Sequence, residues 1–297
     1  NEKSIWSNNF DLKVEEVFDV QDKIAEEMVS TIVGRVEADA LDSIKTKRPD
    51  NMDSYDLVLQ GLEYAKKGNV MKENTQKAVE LFEKAIELEP SYARAHAWRA
   101  CTLSNLADWE ESPDPKIFEN AFKSIQLALE LDSNEPEVHR IMGALKLWHE
   151  RDHEMARYHF EKARELCPSD VFIISRYAIM LIYFAEFDKA LEELERAKRL
   201  DPFSHDLLFG PEAICHYWLD NPEEALQTFK KVKVKKNFLF YIALANEKSG
   251  NNDKASENLK EAYALTGMDN DSFIGSQPFK DQDLTSKLKI ELSNITV

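Results

Sequence analysis

The chain has 297 residues, with 38 Lys and Arg against 55 Asp and Glu, and a formal net charge of −17 at pH 7. So acidic a composition argues against general nucleic-acid binding, which needs a positive footprint on the phosphate backbone. No apolar run is long enough to span a bilayer, and Cys101, Cys167 and Cys215 lack the paired spacing of a disulfide scaffold or zinc ribbon. The expectation is a reduced, cytoplasmic protein with no membrane insertion in this segment. The first residue is Asn1 and no basic-plus-apolar leader is present, which reads as a fragment or a processed product.

Residues 1–50 form the first segment. A short stretch, KSIWSNNFD, leads into a run with apolar Val17, Phe18, Ile24, Met28, Ile32, Val36, Leu41 and Ile44. Their three-to-four spacing predicts one long amphipathic helix. A continuous heptad is not kept, so packing against the next element is expected rather than a coiled coil.

Residues 51–267 carry a repeat: an alanine, a large apolar residue four on, an alanine three further, often closed by proline. Ala78, Phe82, Ala85 and Pro90 give it first; Ala156, Phe160, Ala163, Pro168 and Ala190, Leu194, Ala197, Pro202 repeat it in full. Weaker copies carry Ala121, Ile125, Ala128, then Ala225, Phe229, Val232, then Ala255, Leu259, Ala262. The leading alanines from Ala121 to Ala225 are spaced 35, 34 and 35 residues apart. Steps of four and three place the triplet on one helical face, where small residues admit a second helix and the large one fills the groove between them. Proline then forces a turn. Each triplet follows another apolar helix, such as HRIMGALKLW before Ala156. A period near 34 with two helices per unit predicts an all-α, right-handed solenoid of about six helical hairpins. The lysine run Lys230, Lys231, Lys233, Lys235 and Lys236 reads as a solvated helix C-terminus.

Residues 268–297 read as a loop followed by a helix from about 281 that caps the open end of the stack, since an end repeat exposes an apolar face.

The pattern resembles tetratricopeptide repeats, with Gly61, Tyr64, Gly143 and Ala178 in the small and aromatic slots of the first helices. It departs from them in longer turns at KKGNVMKEN and DWEESPDPK, and the fifth and sixth copies lack the proline. The ends add a second resemblance. Ile5-Trp6-Ser7, Phe10-Asp11, Val17-Phe18-Asp19-Val20-Gln21-Asp22, KRPDNMDSYDLVLQGLEY and Pro278-Phe279-Lys280-Asp281 are similar to the junction and ending of a bacterial signalling family. That resemblance implies a class III adenylate or guanylate cyclase domain upstream, or less often a winged-helix DNA-binding domain of the CadC type. A small α/β domain like the N-terminal part of TolB would follow, and then the repeat array. It leaves open an effector domain of a transcription regulator and a free-standing scaffold.

No catalytic residues and no cofactor are expected in this segment. There is no phosphate-cradling GxxxxGK[ST] loop and no GxSxG elbow. His149-Glu150-Arg151-Asp152-His153 matches the HExxH pattern of zinc proteases, which needs both histidines on one helical face. The repeat register instead places them in a turn, and no third-ligand motif follows. What remains is surface recognition. In the family resembled, first helices line the concave groove, and the inner positions there are Arg94, Cys101, Asn105, Arg140, Ala144, Trp148, Ser175, Ile179, Tyr183, Ile214, Tyr217 and Trp218, with Trp98 and Arg176 one position off. Aromatics and arginine are the types enriched at hot spots, and three arginines could hold a carboxylate or an acidic peptide. Core packing and pairing with nearby glutamates compete with that reading. The partner expected is a protein or peptide in the groove, with a homodimer as the other association considered.

Overall fold

The computed structural model describes residues 54–67, 71–107, 109, 114–201 and 206–296. The long helix expected over residues 1–50 lies outside them, as does Pro202. Among the described residues the regular structure is helical, with fourteen α-helices and no strand. Six consecutive hairpins are present, followed by two further helices. The chain divides into two compact units, Asn1–Pro168 and Ser169–Val297.

The first unit contains α1 (Ser54–Lys67), α2 (Lys72–Leu88), α3 (Ala93–Ala107), α4 (Pro115–Leu131), α5 (Pro136–Leu145) and α6 (His153–Leu166). They pair as α1 with α2, α3 with α4 and α5 with α6, and α3 also packs on α2 and α5. The repeat triplets form the buried faces of the second helices: Ala78, Phe82 and Ala85; Ala121, Ile125 and Ala128; Ala156, Phe160 and Ala163. A Cβ at Gly61 would meet Phe82 Cε1 at 2.5 Å, and one at Gly143 would meet Phe160 Cδ2 at 2.9 Å. The small slot therefore exists because the large residue of the facing helix fills it. Helix starts are fixed locally. Asp114 accepts from the Lys116 amide ahead of Pro115, and Asp152 accepts from the Met155 amide at 3.1 Å. Proline ends α2 at Pro90 and α6 at Pro168.

The second unit contains α7 (Val171–Tyr183), α8 (Phe187–Leu200), α9 (Asp206–Trp218), α10 (Pro222–Phe229), α11 (Leu239–Lys248) and α12 (Asn252–Thr266), then α13 (Asn270–Ser276) and α14 (Gln282–Asn294). The cores repeat the same logic with Ala190, Leu194 and Ala197 on α8 and Ala255, Leu259 and Ala262 on α12, all buried. Residues 270–276, read as loop, form α13, because Asp269 accepts from the Ser272 amide at 2.8 Å and Phe273 and Ile274 are buried. The lysine run occupies the connection after α10, where its five lysines are exposed and Val232 is buried. Four hairpin turns carry a left-handed residue: Arg151 (φ 56°), Ala185 (φ 61°), Asp220 (φ 62°) and Gly250 (φ 74°). Only the last uses the residue type that adopts this conformation freely.

One buried polar contact in the first unit makes its stability pH-dependent. His139 Nδ1 and His159 Nδ1 are 3.0 Å apart, and His139 Nε2 is 2.9 Å from the Ser133 carbonyl, which can only accept. With both rings neutral, His139 donates from Nε2 to Ser133, so its Nδ1 accepts the His159 proton. Burial first, then repulsion by His139 and Lys146, lowers the His159 pKa from 6.5 to about 4. The unfolded chain therefore binds a proton between those values that the folded chain does not. Stability from this site is complete above pH 6.5 and falls as pH drops toward 4, by up to roughly 3 kcal/mol. Urea melts at pH 7.5 and 4.5 should show that loss, and a His159→Gln chain should show a shallower slope.

Candidate functional site

The nine side chains read from the sequence as a recognition face separate by unit. In the first unit, Arg94, Trp98 and Asn105 are half-buried on α3, Trp148 is half-buried on a single π-helical turn (Lys146–Glu150) that extends α5, and Arg140 is buried on α5. Trp98 stacks near Phe82, with ring centroids 6.4 Å apart, and the Arg140 guanidinium lies 4.9 Å from its ring centroid. Arg140 Nε donates to Glu137 Oε2 at 2.7 Å, and both side chains are almost wholly enclosed (4% and 7% exposed). Burial opposes the charge on Arg140, but Glu137 and Cys101 outweigh it and hold its pKa above the usual arginine value. Arg140 is thus an internal ion pair under Trp98. Arg94 and Asn105 on α3 and Trp148 at the end of α5 remain partly open to solvent, as do Trp98, Arg99 and Cys101.

The HExxH residues fall where the chain reverses. His149 lies in the π-helical turn that ends at Glu150, Arg151 is left-handed and His153 starts α6, so the two histidines do not share a helical face. His149 Nε2 is 2.6 Å from Ser104 Oγ and its ring is 4.5 Å from that of Phe118. The residue is exposed, but partial desolvation of its ring against Phe118 and then the Arg151 charge lower its pKa. Among the described residues no three His, Cys, Asp or Glu side chains gather to hold a metal, and no helix is long and apolar enough to cross a membrane.

In the second unit Arg176 is half-buried on α7 with its guanidinium 4.8 Å from the Phe172 ring centroid. Tyr183, Tyr217 and Trp218 stand at the ends of α7 and α9, and the C-terminal segment packs onto all three. Phe279, itself buried, sits edge-on to Tyr183 (5.3 Å) and to Trp218 (5.4 Å), and the Lys280 amide donates to the Tyr183 carbonyl at 2.9 Å. Tyr183 and Tyr241 hydroxyls both point to Gln277 Oε1 at 3.4 Å. The Tyr217 hydroxyl donates to Glu291, which also pairs with Lys248 at 3.3 Å, and Lys287 lies over the Trp218 ring. Phe273 stacks on Phe240 at 4.1 Å. This enclosure raises the pKa of Tyr217 through burial and then the Glu291 charge, and that of Tyr241 through burial. Residues 273–291 therefore lie on the first-helix faces of α7, α9 and α11. The reading of a terminal cap did not foresee that arrangement. Its signal was present in the aromatic spacing Phe273, Phe279 and in the extended Gln277-Pro278-Phe279-Lys280 between two capped helices.

Comparison with known proteins supports the architecture. A family model described as Tetratricopeptide repeat matches residues 81–112. "Putative adenylate cyclase 3" of Rhizobium meliloti (strain 1021) is 23% identical over 148 residues, which is 50% of this chain and 25% of that protein. The match thus spans about a quarter of the relative's length. Among solved structures, PilW, a widely conserved type IV pilus biogenesis factor, is 18% identical with a TM-score of 0.52, covering 73% of this chain and 94% of its own. The human IFIT1 dimer with m7Gppp-AAAA is 20% identical with a TM-score of 0.58, covering 72% of this chain and 51% of that one. At such identities the structural likeness establishes the fold.

Proposed function

We propose that this chain, an array of tetratricopeptide repeats, is a non-catalytic interaction module that takes up a protein or peptide on its first-helix faces. We further infer that in the whole protein it biases an attached adenylate or guanylate cyclase domain in the cytoplasm of a bacterium. Repeats of this kind bind proteins or peptides, and the observation that carries the reading here is the face of α3 and α5. There Arg94, Asn105 and Trp148 remain half-exposed while the apolar side chains behind them form the core. Arginine and tryptophan suit a small number of strong contacts. The cyclase part is supported by the R. meliloti relative and by the junction motifs near both ends. Its mechanism follows from the resemblance: if the active site forms between two catalytic domains, partner-controlled pairing of the arrays changes the effective concentration of its halves. No nucleic-acid partner is proposed, given the net charge of −17.

The reading frame upstream of the codon for Asn1 tests the attachment. A cyclase domain carrying its metal-binding aspartates is the expected finding. A winged helix, or a start codon immediately before Asn1, would remove the cyclase from this account and leave the interaction module.

A further inference from the structure

We propose that the α7–α9–α11 face of the second unit is a peptide-recognition groove already filled by this chain's own residues 277–291, and that a partner segment of the same chemistry displaces them. The ligand chemistry is visible in the occupant. It needs a side-chain amide for two tyrosine hydroxyls, an aromatic anchor between Tyr183 and Trp218, and a backbone N–H for the end of α7. About three helical turns further on, it needs a carboxylate for Tyr217 and Lys248. Here Gln277, Phe279, the Lys280 amide and Glu291 meet these needs.

Two features distinguish this face from ordinary core. The hairpins beneath it have cores of their own: Ala178, Ala190, Leu194 and Ala197 are fully buried, as are Ala225, Ala255, Leu259 and Ala262. The residues meeting the segment are instead three tyrosines, a tryptophan and a lysine, which pair an apolar body with a polar tip and are frequent at recognition sites. The segment meets this face almost wholly through side chains, with the Lys280 amide to Tyr183 carbonyl bond as a backbone anchor. It follows α13, which is joined to α12 by the exposed turn at Met268 and Asp269. A tethered ligand of this kind competes at an effective concentration near millimolar, so a free partner succeeds only by matching the aromatic anchor and the carboxylate together. The proposal rests on reading first-helix faces as interaction surfaces. The α3–α5 face, which carries the functional reading, stands apart from its outcome.

The test keeps the full chain. A protease site is inserted between Gly267 and Met268, the chain is cut, and a fluorescent peptide of residues 268–297 is added. The expected result is a cut chain that retains its helical circular dichroism and exchanges its segment for the peptide, while the uncut chain exchanges at least about tenfold more slowly. A peptide carrying Phe279→Ala should compete about 100-fold less well or worse. Loss of helicity on cutting would overturn the proposal, because the segment would then be a permanent part of the core. Equal competition by the Phe279→Ala peptide, or equal exchange in the uncut chain, would overturn it as well.

Discussion

Arg140→Met is expected to destabilise the first unit by about 3–5 kcal/mol, as measured by urea denaturation. The reason is the carboxylate left behind. Glu137 is buried beside Arg140, and its Oε2 receives the guanidinium Nε at 2.7 Å. Removing the cation leaves an uncompensated charge where water does not reach, and it strips the guanidinium from the Trp98 ring. The double change Glu137→Leu with Arg140→Met should recover most of the loss, since well-packed apolar groups can replace a buried ion pair at little net cost. A change within about 0.5 kcal/mol for Arg140→Met alone would show that the pair is solvated. This result bears on function. Reversing the charge at Arg140 would abolish partner binding by unfolding the unit, so Arg94→Glu, on a half-exposed side chain, is the interpretable variant.

The second large effect concerns the small slot and the ring that fills it. Phe160 is 1% exposed, and Phe160→Ala should cost about 3–5 kcal/mol through lost burial and the cavity left behind. Gly143→Ala should cost about 1–3 kcal/mol, because the new methyl would sit 2.9 Å from the Phe160 ring. Combined, the two should cost clearly less than their sum, since the methyl enters space the ring has vacated. A coupling of roughly 1 kcal/mol or more in a double-mutant cycle is expected. Simple additivity would mean that the slot and the ring do not share this space.

The period of Ala121, Ala156, Ala190 and Ala225 made the hairpins legible because each triplet must face another helix, and local spacing encodes that need. The turns were less legible. Arg151, Ala185 and Asp220 adopt left-handed conformations with no glycine to mark them, since the packed helices on either side impose the turn. The candidate site was legible by residue type and less so by environment. Sequence register placed Arg140, Tyr217 and Trp218 at inner positions of their own repeats, with Trp98 one position off. It offered a nearby glutamate as a partner for each arginine, as Glu137 is for Arg140, but could not show that the pair would be enclosed, nor that Phe279 would close over Trp218 from 61 residues away. The contact with Phe279 joins residues far apart in sequence and leaves no periodic trace.

The most direct test of the regulatory account is cyclic-nucleotide synthesis by the whole gene product, with and without residues 1–297. The account predicts that removing the array changes the rate by about fivefold or more, in line with a coupling of 1–3 kcal/mol between regulatory and catalytic parts. An unchanged rate, at protein concentrations spanning dimer formation, would contradict it.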